Sequence, residues 1–419
     1  MGKLLFLILF SIGLVASDLT LEVVKEVGDG PSIAIENGSK EIDIQRDRKF
    51  FKLLVGDLIV TAHFQVDERE YRGDLDEEVN ASRYKDKEYL LRYRLFYDDF
   101  GKLAALVELY DLKGGKRVFR SKYTISDPRR YPFLAHRIVY DVNKALGFPD
   151  VEFMKSFVVF AKYTAPKRAD IVIADYTLTY QKSIITGGLN LFPKWASKDQ
   201  RSFYYTSLNE ERPTLYRVDI YEGTRQKILS GDGMLVCSDV SEDGTKLLLT
   251  MAPDMQPDIY LYDLPSGSLR RITTYKGIDV NGNFVEGGRR IVFVSDRLGY
   301  PTIFAKRIGS MAVERLVYHG RNNSSCTTHG HYVAYSSRET NNAFGPNTFN
   351  LYLISTKSDY IRRLTANGVN LFPRFASDGE TLLFIKEFER QSGLGVIRLR
   401  YNKTYIFPLH TGKIQSIDW

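Results

Sequence analysis

Few side chains in this sequence suit chemistry. His329-Gly330-His331 sets two imidazoles one residue apart. That spacing could begin a metal site, but no third ligand lies close in sequence, so an ordinary turn accounts for it better. A Gly-x-Ser-x-Gly elbow, which would mount a serine for acyl transfer, is absent. Aspartate and glutamate total 51 residues, yet no pattern sets two carboxylates across a glycosidic bond. The 27 tyrosines and 25 phenylalanines suit sheet packing more than a sugar platform. Glu78-Val79-Asn80-Ala81-Ser82 fits an acidic-type bacterial N-glycosylation sequon. The reading is therefore of a protein with no catalytic residues, no metal and no cofactor. The rival reading is an exported hydrolase or lectin acting on envelope glycans or peptides.

What would position such residues is a repeat. Ile171–Asp175, Leu215–Asp219, Ile259–Asp263, Ile303–Arg307, Leu351–Ser355 and Val396–Arg400 share one strand pattern. They begin at 171, 215, 259, 303, 351 and 396, in steps of 44, 44, 44, 48 and 45. Around each lie a turn near Gln200, Gly244, Gly288, Gly330 or Gly379, an apolar strand, and a strand ending in Leu-Thr or Ile-Thr. Four short strands per repeat predict propeller blades. Inner strands are expected at Leu191–Trp195, Leu235–Asp239, Val280–Phe284, Ser324–Thr328 and Leu371–Phe375. The first blade lacks one, and Ile414–Trp419 reads as the missing strand that closes a six-bladed ring. Cys237 and Cys326 fall in the third and fifth repeats, too far apart for a disulfide, so two buried free thiols are expected.

The first part of the chain has a different texture. Lys3, an apolar run over Leu4–Val15 and small residues before Asp18 read as a signal peptide over 1–17. The run is shorter than the roughly 20 residues a membrane span needs. Residues 18–30 read as a mobile N-terminal segment. There Leu19, Leu21 and Val23 alternate with polar neighbours, and Val24 follows, a pattern suited to strand addition on another protein. Residues 31–150 predict a small α/β domain. Helical apolar spacing runs through Asp47–Leu58, and a second helix spans Tyr131–Leu146. Strands fit Tyr89–Tyr97, Leu103–Leu112 and Val118–Ile125 on a mixed sheet. The class is thus α+β multidomain, with 151–419 forming the propeller. The formal charge is +7 without a dense basic cluster, which argues against nucleic acid as a partner. No later segment spans a membrane, and a monomer is expected.

The repeat register also orients the chain. The α/β domain should lie at the face bearing the Ser241–Gly244 and Ser377–Gly379 turns. The opposite face carries the loops between blades, and its polar and apolar candidates for receiving a partner are Asn190, Phe192, Asp232, Met234, Asp279, Asn281, Asn322, Asn370 and Phe372.

Asn190-Leu191-Phe192-Pro193-Lys194-Trp195-Ala196-Ser197, echoed at Asn370–Ser377, resembles the TolB family. Leu215–Asp219, Ile259–Asp263, the helix-like segments Phe50–Leu58 and Ala135–Val142, and the terminal Trp419 extend the likeness over the mature chain. Val285-Glu286-Gly287-Gly288 and Ser325–Gly330 depart from the family's turn. The resemblance implies a non-enzymatic periplasmic adaptor of the Tol–Pal system. It implies binding of the lipoprotein Pal at the propeller face and of TolA through Leu19, Leu21, Val23 and Val24. Roles in cell division and outer-membrane integrity follow, with other outer-membrane proteins as further partners.

Overall fold

The computed structural model describes residues 20–22, 30–343, 347–358 and 360–419. Leu19, Val23 and Val24 lie outside the described residues, and Leu21 falls in the short strand Thr20–Glu22. Among the described residues no helix is long and apolar enough to cross a membrane.

The sheet near the N-terminus orders its strands as Gln65–Arg72, Ser32–Asn37, Tyr89–Tyr97, Leu103–Asp111 and Lys116–Ile125. Ser32–Asn37 pairs in parallel with both neighbours and the other pairs are antiparallel, so the sheet is mixed. Strand alternation gives it two unlike faces. Ile33, Ile35, Leu91, Tyr93 and Leu95 pack on one face with helices α1 (Ile44–Thr61) and α2 (Tyr131–Ala145). Ala34 and Leu90 face the other way, under Tyr84 of the segment 73–87.

Helix α1 starts where Asp43 accepts a hydrogen bond from the Arg46 N–H at 3.0 Å, satisfying one free donor of the first turn. It buries Phe50, Phe51, Leu54, Val55 and Leu58, the stripe its apolar spacing predicts, and ends at Ala62 in the left-handed region. Pro132 sits in the first turn of α2, where a missing N–H costs nothing.

From Val158 onward the described strands group into four-stranded antiparallel sets. The first is Lys413–Asp418, Val158–Ala165, Arg168–Ala174 and Gln181–Ile185. The second runs from Asn190–Trp195 to Arg225–Ser230, the third from Leu235–Val240 to Ser268–Arg271, and the fourth from Asp279–Val285 to Val313–Arg315. The fifth runs from Arg321–His329 to Ile361–Arg363 and the sixth from Val369–Phe375 to Lys403–Pro408; one bridge, Phe349 to Val369, joins them. Thr20–Glu22 adds a further antiparallel strand outside Lys403–Pro408.

The turns that punctuate the repeats are left-handed at Gln200, Gly244, Gly288, Gly330 and Gly379. Gln200 bears the steric cost of that conformation, and its amide is bonded both ways to the Phe157 backbone at 2.7 and 2.8 Å. Cys237 and Cys326 are free and buried in separate apolar clusters; burial pushes the Cys326 thiol up to about 12.

The N-terminal sheet and the repeats are not loosely tethered. One apolar cluster runs from Ile33 and Leu54 through Phe153 and Phe160 to Tyr405 and Ile417. Within it His136 of α2 is fully buried, its Nδ1 2.7 Å from Asp57 of α1 and its Nε2 3.2 Å from Asp175 at the end of Arg168–Ala174. Tyr176 also donates to Asp57. Tyr405 donates to the Ile59 carbonyl at 2.8 Å, and His63 meets Tyr401 at 2.8 Å.

Candidate functional site

These contacts fix which face is covered. They all reach ends of the second, third or fourth strands that share the face of the Gln200, Gly244 and Gly379 turns. The inner strands begin on the opposite face, where every sequence-predicted site residue of the repeats stands at or near a strand start.

Burial separates those residues. Asn190, Asp279 and Asn370 are at most 1% exposed, which corrects their assignment as a presented polar ring. Asn190 Nδ2 donates to the Gly187 carbonyl at 2.8 Å and to the Ala169 carbonyl of the preceding sheet at 3.2 Å. Asn370 repeats this with the Asn367 and Phe349 carbonyls at 3.0 and 2.8 Å. Each asparagine therefore pins an inter-sheet loop to the sheet before it. Asp279 is held by two 3.0 Å hydrogen bonds from Arg297. Removing such a buried partner leaves carbonyls unsatisfied. Asn190→Ala and Asn370→Ala are each expected to lose about 1–3 kcal/mol of stability in urea titration while leaving binding by the folded fraction unchanged.

Asn281 and Asn322 are also occupied. Asn281 Oδ1 accepts from the Cys326 N–H of the next sheet at 2.7 Å. Asn322 faces the Arg338 guanidinium, and it is Asn323, fully buried against Thr302 and the His319 carbonyl, that fills the place of Asn190 and Asn370. One residue type in the right loop misled the reading by a single position.

The remaining candidates do reach the surface. Asp232 is exposed, with Arg212 3.2 Å away, and Met234 is 46% exposed. Phe192 and Phe372 are half-buried with φ of 55° and 51°. Each inner strand slips register there, between Leu191 and Lys194 and between Leu371 and Arg374. A proline follows in both strands, tolerated because the ladder is already interrupted. The Phe192 and Phe372 N–H groups donate instead to Ser416 and Ser325 hydroxyls of the preceding inner strand, at 3.1 and 3.2 Å.

Two features went unread in the sequence. On the same face as Met234, the exposed residues include Leu208, Met255, Ile278, Leu298, Tyr318 and Phe388, each in or beside a loop joining strands on that side. Ile278 also lines a cavity of about 310 Å³ with Val280, Val294, Pro301 and Phe349. Deeper down, the inner strands meet in a charged cluster. Lys194 Nζ lies 3.0 Å from Asp418 and 3.4 Å from Asp239, and Arg374 Nε lies 3.6 Å from Asp418. Burial opposes the Lys194 charge, but Asp418 and then Asp239 outweigh it and raise its pKa. Lys194 and Arg374 occupy the same place in the Phe-Pro-x motif, a signal available from aligning the repeats. The exposed loop residues share no motif.

The face therefore offers a rim of exposed apolar side chains above a charge-paired centre. That arrangement suits docking by a few apolar anchors.

Comparison with known proteins agrees in fold and family. Residues 153–419 match the family model described as TolB beta propeller domain. The "Tol-Pal system protein TolB" of Wolinella succinogenes is 50% identical, with 100% of each chain covered. Those of Campylobacter jejuni and Helicobacter hepaticus are 46% and 44% identical, covering 100% and 99% of each chain. The crystal structure of TolB from Acinetobacter baumannii covers 96% of this chain and 99% of its own, with a TM-score of 0.78 at 21% identity, a likeness of fold. The fold is a TolB-like propeller with a small N-terminal domain, and with relatives this similar matched end to end, the chain belongs to the TolB family of Tol-Pal system proteins.

Proposed function

We propose that this protein is a non-enzymatic adaptor of the periplasm. On this reading residues 1–17 are a signal peptide, 18–30 an N-terminal segment, 31–150 the α/β domain and 151–419 a six-bladed propeller closed by its C-terminal strand. The pairing of Lys413–Asp418 with Val158–Ala165 supports that closure. The free face binds the lipoprotein Pal, and the N-terminal segment binds TolA, supporting invagination of the outer membrane at division and envelope integrity. The observation that carries the proposal is the apolar rim on the face remote from α1 and α2. Exposed clusters of large apolar side chains mark protein contact surfaces.

Phe192, Asp232, Met234 and Phe372 remain candidates for that contact, joined by Leu208 and Met255. Thr20–Glu22 is already paired to an outer strand, so TolA would take a segment that also has a place on the propeller. The test uses mature protein and solubilised envelope, with mass spectrometry as readout. Replacing Leu208, Met234 and Met255 together with glutamate is expected to weaken lipoprotein capture at least ~30-fold, about 2 kcal/mol, without loss of stability. Deleting residues 18–30 should abolish TolA capture and spare the lipoprotein. Unchanged lipoprotein binding by the triple variant rules out this face. Recovery of glycan or peptide fragments in place of the lipoprotein favours the hydrolase or lectin.

A further inference from the structure

Five Asn-x-Ser/Thr tripeptides occur in the chain, at Asn37, Asn80, Asn322, Asn323 and Asn402. Such a tripeptide is an acceptor only where the asparagine amide can be reached from solvent. Asn37 is 1% exposed and donates to Asp47 and Glu70 at 2.9 and 2.8 Å. Asn323 is fully buried. Asn322 and Asn402 are left-handed, with φ of 60° and 54°, and face Arg338 and Arg362 respectively. Asn80 differs from all four. It is exposed, caps the short 3-10 turn Ala81–Tyr84, and has φ −82°. It alone has an acidic residue two positions earlier, Glu78, itself exposed; the corresponding residues are Ile35, Gly320, Arg321 and Arg400.

The surroundings hold this acceptor out on a braced loop. Arg92, almost fully buried, donates to the Asp74 and Glu77 carbonyls at the loop's start. Tyr84, buried at its end, donates to Glu36. Between these anchors the Ser82 hydroxyl donates to Asn80 Oδ1 at 2.5 Å and the Ser82 N–H at 3.2 Å. The amide oxygen is thereby engaged by the third residue of the tripeptide, while among the described residues none accepts from Asn80 Nδ2. The loop covers the sheet face opposite the helices that meet the propeller, so a large group on Asn80 would obstruct neither that junction nor the apolar rim.

From this we infer that Asn80 is an N-glycosylation site, modified from a lipid-diphosphate-linked oligosaccharide. Asn80 Nδ2 attacks the anomeric carbon, forming the N–C1 bond. The C1–O bond to the diphosphate breaks, the lipid diphosphate leaves with the electron pair, and a base of the transferase takes the amide proton. The Glu78 carboxylate and Ser82 hydroxyl are recognition groups. In the cell the inference rests on export of the chain, so the decisive test is made outside it.

Folded mature protein is incubated with an acidic-sequon bacterial oligosaccharyltransferase and a lipid-diphosphate-linked oligosaccharide, then read by intact mass and peptide mapping. One glycan per chain is expected, on the peptide holding Asn80. It should vanish in Asn80→Gln and fall roughly tenfold or more in Glu78→Gln, which removes one recognised charge. An unmodified wild-type chain beside a fully modified Asp-x-Asn-x-Ser control peptide overturns the inference, as does a glycan on any of the other four asparagines. Modification in the tube but none on exported protein recovered from its own cells keeps Asn80 as an acceptor and overturns its modification in the cell.

Discussion

Replacing His136 with alanine is expected to cost about 3–5 kcal/mol, the loss seen when one member of a buried ion pair is removed. Asp57 and Asp175 are both at most 1% exposed and both rest on this imidazole. Without it, α1 and the first sheet of the propeller present two buried carboxylates to each other with no cation between them among the described residues, Asp57 keeping only Tyr176 and Asp175 only Thr177 and Tyr180 as donors. Burial disfavours the imidazolium, but the two carboxylates outweigh it and lift His136 to about 9. Because this is a rise from 6.5, the stabilisation is fully present below pH 6.5 and is lost as pH climbs through 9. Its size is roughly 3 kcal/mol over that window. Tyr176, the other donor to Asp57, is held far above its ordinary value by burial and by Asp57, so it does not titrate there. Urea titrations at pH 6, 7.5 and 9 check the point. The gap between wild type and His136→Ala should be widest at pH 6 and shrink towards pH 9; a constant gap would refute a charged His136.

Deleting residues 413–419 is expected to abolish the folded monomer. The deletion removes the whole partner strand of Val158–Ala165 and the Trp419 ring that meets Phe153 at 5.3 Å. It also takes away Asp418, which accepts from the Trp195 N–H at 2.8 Å and neutralises Lys194 and Arg374. Opened sheet edges invite aggregation, and the losses fall on a whole-domain stability of only roughly 5–15 kcal/mol. Size-exclusion chromatography should show aggregate, and circular dichroism a loss of cooperative unfolding. Asp418→Ala isolates the charge, at about 3–5 kcal/mol. A soluble, cooperatively unfolding truncation would argue against closure by the C-terminal strand.

The legible parts of this fold were those with local causes. The third strand of each repeat shows its period because its apolar residues and following turn recur. The helices show theirs because Phe50, Leu54 and Leu58, and Leu134, Ile138 and Val142, fall on one stripe. Gln65–Arg72 was missed because Gln-Val-Asp-Glu-Arg-Glu-Tyr-Arg has little apolar alternation, and it is a strand through parallel pairing with Ser32–Asn37. At the site, residue type places asparagines in the loops but does not say which of them face inward, as Asn190 and Asn370 do. The Lys194–Asp418 pair joins residues 224 apart, a relation that no local spacing contains.

The single apolar cluster shared by α1, α2 and the first and sixth sheets has a consequence for how the molecule breathes. A chain-terminal strand would be expected to fray first. The pairing of Lys413–Asp418 with Val158–Ala165 instead lies under the helices and the His136 bridge, so its amides should exchange with solvent in the same slow, cooperative unit as the N-terminal sheet. The third, fourth and fifth sheets end in outer strands of four, three and three residues, Ser268–Arg271, Val313–Arg315 and Ile361–Arg363. Fraying therefore begins on the flank away from the helices, and the pairing of Lys413–Asp418 with Val158–Ala165 is among the last to come undone.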